Sequence, residues 1–214
     1  MQAPLTTRPY VEQLKTWPDA GRHILAQFDD ETIIVYQAFG AGIARFAIEH
    51  QRFGGDFSYR RMSWIKPNFL WMMYRCDWGR ADAQKMILAI RLRRPFFDAL
   101  LRQTVPSSYT PVLFATPEEW GTAVAQSDVR LQWDPDHLPT GQKCERRAIQ
   151  LGLRGAVLEA YGQRECVEIL DMTEFVADQL PRVADWQQSG LLTPAEDRYV
   201  PADPEIAAKI GLES

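Results

Sequence analysis

The chain has 214 residues, 46% hydrophobic and 24% charged, with a net charge of −4. That length and mixture fit one globular domain able to bury its own core, and they exclude a predominantly disordered chain. No apolar run approaches the ~20 residues of a membrane helix, so no membrane partner is expected.

In chain order, residues 1–20 read as an N-terminal extension punctuated by Pro4, Pro9 and Pro18, with a short helix over 11–17. The start, Met1-Gln2-Ala3-Pro4-Leu5, lacks the basic and apolar stretches of a secretory signal. Residues 23–28 read as a strand, Asp29-Asp30-Glu31 as a turn, and the β-branched run 32–39 as a buried strand closing a hairpin. Residues 40–51 have helical spacing, with Ile43, Phe46, Ala47 and His50 on one face. Gly54-Gly55 ends that helix, and 57–66 alternates as an extended segment. Pro67 fits the first turn of a helix over 67–74 that is apolar on nearly every side and hence deeply buried.

Residues 86–92 form a strand and 95–101 a short helix. Thr116-Pro117-Glu118-Glu119 is a capping box opening a helix to Gln126. A strand over 129–133 is closed by Asp134-Pro135, and 136–144 reads as a loop. Residues 148–151 fit either a strand or a helix start. A helix over 153–161, a strand over 165–170 and a helix from Asp171 to Leu180 complete a core domain of residues 21–180. Residues 181–214 read as a loosely docked C-terminal appendage with a last helix at Asp203-Pro204-Glu205. Short, irregularly spaced strands predict an α+β fold, a single domain with a mostly antiparallel or split β-sheet and flanking helices.

Most chemical motifs are absent. Gly40-Ala41-Gly42 follows a strand, but Arg45 stands where a dinucleotide turn needs its third glycine, and no Walker lysine follows. No Gly-x-Ser-x-Gly elbow occurs. The carboxylate pairs at 29–31 and 118–119 fit a turn and a helix start. Cys76, Cys144 and Cys166 are odd in number and widely spaced, and His23, His50 and His137 are scattered. No disulfide framework and no metal are expected, and the cysteine usage fits a cytoplasmic location.

Residues 52–94 stand out. They hold ten Lys or Arg against three Asp, a formal +7 inside an acidic chain, and eight aromatic rings lie between Phe53 and Trp78. Cations beside flat apolar faces suit phosphates and bases; the same residues also suit a core whose basic stems reach water. Extended, the segment 58–67 places a cation on each face, Arg61 with Tyr59 and Ser63, and Lys66 with Trp64. Such cations need an anionic partner, either a ligand or an internal acid such as Asp134 or Glu168. The strand at 129–135 projects Arg130, Gln132 and Asp134 together, which suits a polar ligand better than a core, and Arg147 and Gln150 lie close enough to join.

The sequence resembles the DUF4291 family. The resemblance rests on residues 29–39, on Gln51-Arg52-Phe53-Gly54-Gly55, on the long run 61–75 around Trp64-Ile65-Lys66-Pro67, on 129–135, and on 147–153. It covers residues 22–175 and implies no activity. A more distant likeness, to ADP-ribosyltransferases, rests on Val35-Tyr36-Gln37-Ala38 before a turn and helix. Gln37 stands where that likeness expects His or Arg. It implies NAD as a cofactor, Tyr59 or Ser63 as the second-strand residue and Glu168 as the late acid.

Together these readings predict a nucleotide- or NAD-binding transferase. Tyr36, Tyr59, Arg61, Ser63, Trp64, Lys66, Arg130, Gln132, Arg147 and Gln150 would bind the ligand, with Glu168, Asp134 and Gln37 as catalytic candidates. Its partner would be a phosphate-bearing small molecule. The rival readings are an RNA- or single-strand-binding module using residues 52–94 as a track, and an interaction protein whose Arg and Trp residues only pack.

Overall fold

The computed structural model describes residues 5–213. Residues 1–4, where the signal-less start was read, and residue 214 lie outside them. The chain opens with β1 (Thr7–Pro9), α1 (Tyr10–Leu14), β2 (Gly21–Arg22), β3 (Ile24–Ala26), β4 (Thr32–Phe39) and α2 (Ala41–His50). It continues through β5 (Ser63–Ile65), α3 (Phe69–Cys76), β6 (Met86–Arg93), α4 (Arg94–Gln103), β7 (Val105–Pro106) and α5 (Pro117–Gln126). The second half comprises β8 (Val129–His137), β9 (Lys143–Leu153), α6 (Gly155–Ala160), β10 (Cys166–Asp171) and α7 (Thr173–Gln179). Last come β11 (Leu192–Pro194), β12 (Asp197–Tyr199) and α8 (Pro204–Ile210). None of the described helices is long and apolar enough to cross a membrane.

The architecture is α+β with split, mostly antiparallel sheets. One sheet has the order β10-β6-β4; the other runs β2-β9-β8-β7, with β5 also pairing to β9. One face of β4 and β6, with Ile33, Val35, Leu88 and Ile90, packs on the Leu131, Ile149 and Leu151 face of β8 and β9. The other face, with Ile34, Tyr36 and Ala89, is covered by α3 and by Val176 of α7. β5 joins the two sheets. Its residues pair with β9, and the next residue, Lys66, bridges to Tyr36 of β4 through both backbone hydrogen bonds.

Several elements depart from the sequence reading. The hairpin over 23–39 is reduced to one bridge, Phe28 to Ile33, because β3 pairs with β12 and β4 with β6. The alternating segment 57–66 is extended only at β5. On α2 the fully buried residues are Ala44 and Ala47, while His50 is exposed and rests edge-on against Phe46. Strand β8 runs through Asp134-Pro135 to His137, so residues 136–144 hold a hairpin rather than a long loop. A register shift between Pro135 and His137 accommodates the missing Pro135 donor. Asp171 does accept from Thr173 N, but the residue that caps α7 by position is Met172.

The segment after residue 181, read as a loose appendage, is tied into the fold. β11 pairs with β1 and β12 with β3, and Tyr199, Ile206 and Ile210 are buried in the main core. Glu196 from this segment is buried and accepts a hydrogen bond from Phe69 N at 2.6 Å. Burial raises its carboxyl pKa well above the usual carboxylate range. Asn68 completes that start by accepting from Trp71 N at 2.7 Å.

The region read as loop also carries a buried ion pair. Arg146 and Asp136 meet at 2.7 Å, and Arg146 donates to Pro18 O and lies over the Trp17 ring. Removing one partner leaves the other charge buried alone. Asp136→Ala is therefore expected to cost about 3–5 kcal/mol. Asp134→Ala, on the solvent-reaching side of the same strand, should cost about 1 kcal/mol. Urea denaturation of both variants checks the contrast.

Candidate functional site

Where the two sheets part beside β5, they leave a cleft of about 900 Å³. Ile43 of α2, Asp56 and Phe57 of the following loop, and Ala83 and Gln84 line it together with four main groups. β4 contributes Gln37; the turn and strand before Pro67 contribute Arg61, Ser63, Trp64 and Lys66. α3 contributes Trp71, Tyr74 and Arg75, and the outer face of β8 and β9 contributes Gln132, Asp134 and Gln150. Strand alternation explains the last group: Leu131 and Leu151 turn to the core, so Gln132 and Gln150, which are register partners, turn the other way.

Lys66 is the unusual member. It is only 5% exposed, yet among the described residues its ammonium has neither a hydrogen bond nor an ion pair. Burial, with the nearby Arg75 charge adding to it, lowers its pKa to about 8 against a partial offset from Asp134. Every lysine or arginine stem could snorkel to water, but the Tyr36 bridge pins the Lys66 backbone at the seam. Arg61 and Arg75 are exposed at the rim, also without an ion pair among the described residues. The internal-acid alternative is therefore not realised: neither Asp134 nor Glu168 pairs with Arg61 or Lys66.

The aromatic wall is layered. The His137 ring lies 3.7 Å from Tyr74 at 12° and 5.2 Å from Trp71 at 4°. Burial lowers the His137 pKa, and neither ring nitrogen has a partner among the described residues. It acts as a neutral flat backing for Tyr74, which faces the cleft. Trp64 lies against Gly152: a Cβ there would come within 3.0 Å of the indole and 2.7 Å of Met62 Sδ. The bare glycine lets the indole rest on the sheet.

Of the ligand-binding candidates, the cleft gathers Arg61, Ser63, Trp64, Lys66, Gln132 and Gln150. It does not gather the other four. Tyr36 is fully buried on the far face of β4, edge-on to Phe69. Tyr59 donates to Phe53 O at 2.9 Å and packs under Gly162. Arg130 turns to the C-terminal end of α5, donating to Ser127 O and Val124 O, where the helix dipole favours a cation. Arg147 is exposed, paired in register with Arg22 of β2 and Pro135 of β8.

The catalytic candidates separate similarly. Glu168 lies outside the cleft and accepts from Arg91 Nε at 2.9 Å. Gln37 lines the cleft, but its amide is committed: it donates to Ser63 Oγ at 2.8 Å and Trp64 O at 3.1 Å and accepts from Tyr161 Oη at 2.6 Å. It is a strut between β4 and β5. Asp134 keeps one carboxylate oxygen without a described partner, the other accepting from Gln150 Nε2 at 2.7 Å. Tyr74, Arg75, Trp71 and His137 were not foreseen as site residues. The i, i+3 and i, i+4 spacing of Trp71 to Tyr74 and Arg75 was the available signal, masked by the apolar run around them.

The carboxylate pairs behave as turn and cap. Asp29 accepts from Glu31 N and Thr32 N. Thr116 Oγ accepts from Glu119 N, while Glu119 reaches Ala115 N. Among the described residues no group of three or more His, Cys, Asp or Glu is placed to hold a metal ion.

A single α+β domain with a cationic, aromatic-walled cleft at a sheet seam is thus the class defined by fold and site. Residues 23–199 match the family described as a domain of unknown function, DUF4291, and the chain belongs to that family. No curated protein matches the chain.

The lowered Lys66 pKa has a definite stability consequence. Between pH 8 and the ordinary lysine value of 10.5, the unfolded chain binds the proton that the folded chain has released. The Lys66 contribution to stability therefore rises with pH across that window, and its cost is fully present below pH 8. Lys66→Met, similar in shape and uncharged, is expected to stabilise the protein at pH 7 by about 1–3 kcal/mol. The gain should shrink as pH climbs toward 10.5. Paired chemical denaturation curves at pH 7 and 10 measure it.

Proposed function

We propose that the cleft binds a phosphate-bearing small molecule of the nucleotide class. The observation that carries this reading is the Lys66 ammonium, nearly buried at the cleft and, among the described residues, without a salt bridge. A buried charge of this kind is costly unless something pairs with it. A phosphate group supplies both the charge and the acceptors. Arg61 and Arg75 at the rim extend the same cationic face, and a guanidinium suits bidentate phosphate contact. Trp64 and Tyr74 offer ring faces for a base. Asp56 and Asp134 are the carboxylates lining the cleft, available to orient an attacking group or to stabilise positive charge developing in a transferred ribosyl unit.

NAD is one molecule of this class. Its ADP-ribosyl-transfer version draws no support from Glu168, which Arg91 holds elsewhere. The RNA-track reading is weakened by the dispersal of the basic segment. Arg91 is 4% exposed and paired with Glu168. Arg94 lies over Phe28 and Tyr199, while Arg80 and Lys85 pair with Asp77 and Asp82. The cations that remain at the cleft face one small-molecule-sized volume, not a continuous groove.

A thermal-shift panel of NAD, ATP, GTP, CoA and a short RNA tests the reading with wild type and Lys66→Met. At about 100 times its Kd, a nucleotide adds about 2.7 kcal/mol, a shift of several degrees in wild type that should vanish in the variant. No nucleotide shift, or equal shifts in both proteins, counts against the proposal. A shift with RNA alone, fading with added salt, points to the binding module instead.

A further inference from the structure

The three polar side chains on the outer face of β8 and β9 form one hydrogen-bonded chain, and its polarity has one source. Asp134, as a carboxylate, only accepts hydrogen bonds. Gln150 must therefore turn its amide nitrogen toward Asp134 Oδ2, at 2.7 Å. The second hydrogen of that nitrogen reaches Gln132 Oε1 at 3.2 Å. Gln132 must then present its oxygen to Gln150, because two amide nitrogens cannot bond each other in this geometry. The carboxylate thus sets both amide orientations and removes the usual freedom to flip.

The unused groups follow from that arrangement. Gln132 Nε2 keeps both N–H groups, Gln150 Oε1 keeps its lone pairs, and Asp134 Oδ1 is free. None of the three has a partner among the described residues, and all three side chains line the cleft. Taken along the hydrogen-bonded chain from Gln132 through Gln150 to Asp134, the cleft meets a donor, an acceptor and an acceptor.

We propose that this row recognises a guanine-type base. The inference deepens the nucleotide reading and rests on it. The pairing edge of guanine carries an acceptor, O6, followed by two donors, N1–H and the 2-amino group, which complements the row in order. Adenine presents one donor group beside one acceptor, and hypoxanthine lacks the 2-amino group. Each leaves an acceptor of the row desolvated and unmatched. A site built to accept a hydrogen bond discriminates strongly against an analogue that lacks the donor.

Isothermal titration of the full chain with GMP, IMP and AMP tests the assignment. Wild type should bind GMP about tenfold or more tightly than either competitor. In Asp134→Asn both amides are free to turn, and the preference should fall to about threefold or less. Equal affinities in wild type, or a preference for AMP, overturn the guanine assignment and leave the nucleotide reading standing. A full GMP preference in Asp134→Asn also overturns it, since the carboxylate would not be its source. Binding of none of the three overturns the nucleotide reading and this inference together. The wild-type ranking stands on its own if the variant fails to fold.

Discussion

Two backbone hydrogen bonds between Tyr36 and Lys66, at 2.7 and 3.3 Å, join the two sheets. Everything at the cleft depends on that seam. β5 pairs with β9 for three residues, crosses to β4 for one, and then meets Pro67, which has no N–H to continue a ladder. Asn68 turns the chain into α3 at once. A proline and a cap therefore fix where the strand stops, and the stop fixes Lys66 at the place where the sheets diverge.

The handling of charge elsewhere makes Lys66 distinctive. Arg91 and Arg146 are as deeply buried, and each has a carboxylate beside it. Arg130 is buried too, and carbonyls at the end of α5 receive it. These satisfied cations follow the general rule that buried charge is paired. Lys66 departs from it in the same cleft that gathers aromatic rings and two rim arginines. Departures of that kind concentrate where structure serves binding rather than stability.

The supports of the site come from distant parts of the chain. Glu196, far from α3 in sequence, accepts the Phe69 amide and holds the helix that carries Trp71, Tyr74 and Arg75. Tyr161 holds Gln37, which in turn holds Ser63 and the Trp64 carbonyl. His137, near the turn of the β8–β9 hairpin, backs Tyr74. Cleft geometry is thus a property of the whole domain, including its final segment.

Local chemistry was legible in the sequence. The Thr116-Pro117 helix start, the apolar α3 and the apolar run of β6 declare themselves because caps, periodicity and composition act within a few residues. So did the alternation that puts Gln132 and Asp134 on one face. The sequence by itself also marked 61–75 as unusual and set the α+β class. Only the tertiary structure decided which cations stay unpaired, because that depends on which acids the fold brings within reach: Arg91 pairs with Glu168, while Lys66 has Asp134 nearby but forms no ion pair among the described residues. It alone decided that the final segment belongs to the core, since β11 and β12 are three-residue strands, too short to show a period. Their partners lie at the opposite end of the chain, and pairing across such separations leaves no local trace.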